Sequence, residues 1–188
     1  MSLRWLPNAI CVARMLLVVP IATALFAGAY PWTLALFAVA AMSDGLDGWL
    51  AKRFGWTSAL GKLLDPIADK VLLVSVFLML AWIGLVPAWL AWAVVLRDVI
   101  IVAGAIAYRL LVGPVVGRPT IVSKLNTLLQ LSLVLAVIAA AIWPEWPQPL
   151  TLLLGAAAFV TTVASGIDYV LTYARLAWRE ARRAQPVA

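Results

Sequence analysis

Apolar residues run through this chain in six blocks, each about as long as a membrane is thick. The hydrocarbon core of a bilayer is about 30 Å deep, which takes about 20 helical residues. The blocks span Ala9 to Ala27, Trp32 to Leu50, Leu63 to Ile83, Ala88 to Ala107, Ile121 to Ile142 and Leu150 to Tyr173. They predict six transmembrane helices in an all-α integral membrane protein. Pro66, near the start of the third block, suits the first turn of a helix, where its missing N–H would have had no partner. The 188 residues leave no room for a separate soluble domain, so one membrane-embedded domain, 1–188, is expected.

Lysine and arginine fall in alternate breaks between these blocks. The breaks at Gly28–Pro31, Gly84–Pro87 and Trp143–Pro149 contain neither. The amino end, Lys52–Lys62, Arg109–Lys124 and the tail with Arg175, Arg179, Arg182 and Arg183 hold nearly all of them. Positive loops stay on the cytoplasmic side, so both termini are expected there. Trp32, Trp82, Trp89, Trp143 and Trp146 fall at the outer boundary; Trp5, Trp56 and Trp178 fall at the inner one, as aromatic belts do. Trp49 and Trp92 break this pattern and are expected to pack inside. The basic start, first block and Ala27-Gly28-Ala29 also resemble a secretory signal, but Arg14 and Pro20 within the block weigh against it.

Composition agrees and removes several chemistries. A hydrophobic fraction of 65% and a charged fraction of 12% exclude an ordinary soluble domain, as does the mean hydropathy of +1.05. The net charge of +6 reflects topology and does not imply nucleic-acid binding. Histidine is absent, which removes the commonest general base and zinc ligand. The one cysteine, Cys11, can form no internal disulfide. Acid–base or metal chemistry must therefore rest on carboxylates.

Four of the eight acidic residues lie in one stretch, DGLDGWLAKRFGWTSALGKLLDPIADK, from Asp44 to Lys70. Asp44 and Asp47 are three apart and Asp65 and Asp69 four apart, so each pair shares a helix face. Gly48, Ala51 and Gly61 lie between them, where close approach of backbone or ligand needs small residues. Lys52, Arg53, Lys62 and Lys70 flank them. Two carboxylate pairs ringed by cations suit a hard divalent metal with phosphate. A carboxylate at mid-membrane costs about 2.5–3.5 kcal/mol. Four together imply a polar cavity, open to the cytoplasm and compensated by cations.

The stretch closely resembles the signature of the CDP-alcohol phosphatidyltransferases, D-x-x-D-G-x-x-A-R, eight residues, then G-x-x-x-D-x-x-x-D. Asp44, Asp47, Gly48, Ala51, Gly61, Asp65 and Asp69 match at that spacing. Lys52 stands where the family has arginine, a point charge in place of a flat fork. Arg53 beside it points about 100° away around the helix. The opening LPN with Arg14, LLDPIADK, Arg97-Asp98 and RPTIVSKLNTLLQ resemble the cardiolipin synthase and phosphatidylglycerolphosphate synthase branch.

The resemblance implies a six-helix enzyme, generally a homodimer, that moves a phosphatidyl group from CDP-diacylglycerol to an alcohol and releases CMP. It implies that Asp44, Asp47, Asp65 and Asp69 hold two divalent ions, magnesium or manganese. It makes Asp69 the base for the acceptor hydroxyl, and Gly48, Ala51, Lys52 and Gly61 the lining of the nucleotide and diphosphate site. A bacterial inner membrane is the expected location, with the site facing the cytoplasm.

Other polar residues carry weaker expectations. Arg97 is placed in the polar cavity, since neighbours on a helix do not face each other and an Arg97–Asp98 pair would be poor. Lys124, Asn8 and Arg14 are divided between interface anchoring and substrate contact. Phosphatidylglycerol, giving cardiolipin, is the expected acceptor. Glycerol-3-phosphate synthases typically carry cations at the places of Ala105 and Asn126, both neutral here, although Arg109 lies one turn beyond Ala105. A small cation-coupled transporter is the alternative from another class, opposed by the lack of an inverted repeat.

Overall fold

The computed structural model describes residues 6–54, 59–111 and 120–184, and within them all side chains except 6–8, 44–52, 54, 59–66, 111, 177 and 179–184. Six helices follow in order: α1 Leu6–Phe26, α2 Tyr30–Phe54, α3 Ala59–Trp82, α4 Ala88–Leu111, α5 Ile121–Ile142 and α6 Gln148–Ala184. No strand occurs among the described residues. Each apolar block became a helix, and α5 matches its block at both ends. The others run past theirs at one end or both, α2, α4 and α6 through Lys, Arg, Glu or Ala, which continue a helix well, while α1 and α3 stop one residue short at their far ends. With 37 residues, α6 is about 55 Å long and carries the tail arginines on the same helix.

One expectation changes. Helix α3 begins at Ala59, so Pro66 lies seven residues past its start rather than in its first turn. It withholds one N–H from the ladder, which a membrane helix tolerates when neighbours re-satisfy the backbone. Asp65 and Asp69 consequently sit about 9 and 15 Å along α3.

The turns are set by local chemistry. Gly28 and Gly84 have φ of 70° and 79°. Each follows a helix end in a paired 6→1 and 5→2 arrangement. Ala29 N–H donates to the Ala24 carbonyl at 2.9 Å and Gly28 N–H to Leu25 at 3.1 Å. Leu85 to Leu80 and Gly84 to Ala81 repeat it at 2.9 and 3.1 Å. A residue with a Cβ fits this left-handed position poorly. At the other end of the bundle, Thr120 caps α5 by accepting from the Ser123 N–H.

Helix neighbours close a circuit: α1 packs on α2 and α3, α2 on α5, α5 on α6, α6 on α4, and α4 on α3. A lesser contact joins α3 to α5 across it. Ile21, Phe37, Val76, Phe77, Leu80, Val94, Val134 and Ile138 form the centre of the core. Large apolar side chains also cover the outside, among them Trp89, Leu96, Val99, Ile106 and Leu110 on α4. Such a surface suits lipid, not water. Four helices have described stretches long and apolar enough to cross a membrane: Ala9–Phe26, Ala88–Leu110, Ile121–Ile142 and Gln148–Leu176. The protein is an all-α membrane protein. Trp92, expected inside, is 64% exposed and faces outward. In lipid its ring loses nothing by lying there. The side chain of Trp49 lies outside the described residues.

Candidate active site

Polar side chains on α1, α3, α4, α5 and α6 form three groups inside the bundle, while the buried Thr33 of α2 donates to the Ala29 carbonyl. On α1, Arg14 is completely buried, and its Nη1 donates to Oδ1 of Asp69 on α3. The Asp69 side chain is 35% exposed, so this carboxylate reaches the edge of the protein interior. Arg14 and Asp69 line a cavity of about 20 Å³ with Ala40 and Ala41 of α2 and Thr127 of α5. That is room for about one water.

The cavity locates the aspartate stretch. Asp44 follows Ala40 and Ala41 on α2 by about one helical turn, and Asp65 precedes Asp69 on α3 by one. Backbone positions thus bring the end of α2 and the first half of α3 to the same end of the bundle, with α1 packed on both. The side chains of Asp44, Asp47, Gly48, Ala51, Lys52, Gly61 and Asp65 lie outside the described residues, as does that of Asn8. Carboxylate oxygens are the donor chemistry that magnesium or manganese takes. Asp69, part-exposed beside a small cavity that it lines with Arg14, fits such a donor set. Arg53 and Lys124 are exposed side chains.

On the far flank of α3, Lys70 Nζ donates to Oδ1 of Asp98 on α4 at 2.6 Å. Arg97 Nη1 donates to the same oxygen at 2.7 Å. This corrects the expectation that an Arg97–Asp98 pair would be poor. Their Cβ atoms do diverge, but the long arginine side chain folds back over the turn and reaches. Its Nη2 continues to Ser123 Oγ on α5 at 2.7 Å and to Ser165 Oγ on α6. Arg97 is 4% exposed, held inside the bundle by these three partners.

Between α5 and α6 lies a third polar group. Asn126 Oδ1 accepts from Thr161 Oγ1 at 3.0 Å and Thr162 Oγ1 at 2.8 Å. Gln130 Nε2 donates to Thr162 Oγ1 at 3.2 Å. Asn126, Gln130 and Thr162 are all buried. Sequence reasoning passed over Ser165, Thr161, Thr162 and Gln130. The signal was present: Thr161 and Ser165 are four apart in an apolar stretch of α6, so both face one side. A larger groove of about 720 Å³, at the other end between α4, α5 and α6, includes Trp89, Leu133 and Phe159 and has no charged residue in its lining. It holds none of the candidate residues.

Comparison with known proteins gives a family match, CDP-alcohol phosphatidyltransferase, over residues 4–175. A Drosophila melanogaster protein called "Probable cardiolipin synthase (CMP-forming)" is 31% identical over 182 residues, 88% of this chain and 56% of that one. A Rattus norvegicus "Cardiolipin synthase (CMP-forming)" is 34% identical over 152 residues, covering 72% and 50%. An Oryza sativa subsp. japonica protein, "CDP-diacylglycerol--glycerol-3-phosphate 3-phosphatidyltransferase 1, chloroplastic", is 32% identical over 172 residues, covering 77% and 50%. The chain spans about half the length of these relatives.

Proposed function

Since the chain belongs to the CDP-alcohol phosphatidyltransferase family, we propose that it transfers the phosphatidyl group of CDP-diacylglycerol to phosphatidylglycerol, giving cardiolipin and CMP. The carrying observation is the meeting of Asp69 with α1, α2 and α5 at one cavity, at the end of the bundle where the aspartate signature runs. Asp44, Asp47, Asp65 and Asp69 would hold two divalent ions, magnesium or manganese, whose charge would neutralise the diphosphate. Gly48, Ala51, Lys52 and Gly61 admit the nucleotide and diphosphate close to the backbone. Arg14 fixes the orientation of Asp69 through their ion pair.

Asp69 takes the proton from the acceptor hydroxyl. The acceptor oxygen then bonds to the phosphatidyl phosphorus as the bond from that phosphorus to the bridging oxygen breaks. CMP leaves with the electron pair, and Asp69 returns its proton to water. Such transfers depend on positioning and charge neutralisation more than on covalent catalysis.

All six helices cross the membrane with both termini in the cytoplasm, in a homodimer, with the site open to that side. The Lys- and Arg-free turns at Gly28, Gly84 and Trp143–Pro147 alternate with the basic ends, which supports this topology. For the acceptor, Asn126 supports phosphatidylglycerol. It puts a neutral, buried amide where a glycerol-3-phosphate synthase carries a cation for its phosphomonoester.

Asparagine variants test the assignment. Asp44→Asn, Asp47→Asn and Asp65→Asn should each lower turnover at least a hundredfold with membrane insertion intact. Asp69→Asn should still bind CDP-diacylglycerol with metal but fail to transfer it. Near-normal transfer by the Asp69 variant would remove it as the base, and substantial activity in any of the other three would count against a shared metal site.

A further inference from the structure

We propose that Asp98 is a positioning residue for the site carboxylate on α3, acting through Lys70. Asp69 and Lys70 are consecutive, so their side chains leave α3 about 100° apart. Asp69 turns to Arg14 on α1, and Lys70 turns to Asp98 on α4. Helix α3 lies between α1 and α4 in the circuit, so the two bonds hold it from both flanks. A rotation that carries Asp69 away from Arg14 also carries Lys70 relative to Asp98. At a helix radius of 5–6 Å, about 20° of rotation moves a side-chain group by about 2 Å. That is enough to break a contact of 2.6 Å.

The anchor for this lever is rigid. Asp98 is 9% exposed at its side chain, and its Oδ1 takes both Lys70 and Arg97. Arg97 is in turn fixed to Ser123 on α5 and Ser165 on α6. A single carboxylate therefore ties α3 to α4 and, through Arg97, to the opposite side of the bundle. With a neutral residue at 98, the part-exposed Lys70 and the buried Arg97 would lose the carboxylate they share, and the bond that holds α3 to α4 on this flank would be gone. A charge pair serving only local stability would have no effect on Asp69 across the helix. Because Asp69 and Lys70 are consecutive on one helix, about 100° apart, a rotation of α3 at one is carried to the other.

The inference rests on reading Asp69 as a site carboxylate, so two readouts separate its failure from that of the reading. The full chain is purified in lipid nanodiscs as wild type, Asp98→Asn, Asp98→Glu, Lys70→Met, Arg14→Gln and the double variant R14Q/D98N. Thermal midpoints, taken without metal, give a cycle between positions 14 and 98. Linkage through α3 predicts that the double variant loses clearly less than the sum of the two single losses. Additive losses would overturn the proposal.

Manganese alone is then titrated and the free ion counted by electron paramagnetic resonance. Asp98→Asn and Lys70→Met should each weaken manganese binding about tenfold, and Asp98→Glu should bring it back to within about threefold. Unchanged binding in Asp98→Asn would also overturn the proposal. A rise confined to the acceptor KM would do the same, by placing Asp98 behind Arg97 at the acceptor instead of behind α3. A wild-type protein that holds no manganese would remove the site reading itself, and with it this role for Asp98.

Discussion

Replacing Arg14 with glutamine should destabilise the protein and misplace Asp69 in one step. Arg14 is fully buried and Asp69 is 35% exposed, so loss of the guanidinium leaves a carboxylate only partly reached by solvent. Breaking a buried ion pair from one side costs about 3–5 kcal/mol, because the remaining charge keeps its desolvation penalty. The exposure of Asp69 places this pair at the lower end, about 3 kcal/mol. In a chain of this size 1 kcal/mol moves the midpoint by about 2–4 °C, so a fall of about 6–12 °C is expected. The assay is thermal unfolding of detergent-solubilised protein followed by tryptophan fluorescence. Adding Asp69→Asn to the Arg14 variant should recover at least half the loss, since the carboxylate that lost its guanidinium is gone. Arg14→Lys should lie between wild type and Arg14→Gln. If the double variant is no more stable than Arg14→Gln, the loss comes from packing around the arginine stem, and the reasoning from the lost guanidinium is wrong.

Two further substitutions probe the α5–α6 polar contact and the proposed diphosphate site. Asn126→Ala removes the acceptor of the buried Thr162 hydroxyl, while Thr161 keeps the Ala157 and Ala158 carbonyls, and should cost about 1–3 kcal/mol, read in the same unfolding assay. Lys52→Arg restores the family residue and should leave CMP release equal or higher, whereas a loss of tenfold or more would mean the pocket is shaped around lysine.

The helices were legible because membrane thickness dictates one length and apolar composition marks it. Helix α5 matched from Ile121 to Ile142 because capping Thr120 precedes it and Trp143-Pro144 follows. Helix α3 did not, because Ala59 to Lys62 is compatible with helix while Lys62 interrupts the apolar run ahead of Leu63. The aspartate stretch could be read from spacing, which a helix converts directly into faces. The pairing of Arg97 with Asp98 could not, since a spacing rule describes Cβ directions and not the reach of a six-atom side chain. Nor could the opposite turns of Asp69 and Lys70, which depend on α1 and α4 lying on either side of α3. Helix order around a bundle is a property of packing, and no local pattern encodes it.

Purified protein given CDP-diacylglycerol, magnesium or manganese and one acceptor at a time tests the central claim most directly. The account predicts metal-dependent CMP release with phosphatidylglycerol, cardiolipin as the lipid product and little product from glycerol-3-phosphate. Product from glycerol-3-phosphate alone would contradict the acceptor while leaving the family chemistry in place. No CMP release with any acceptor, from protein that is folded and supplied with metal, would contradict the account itself.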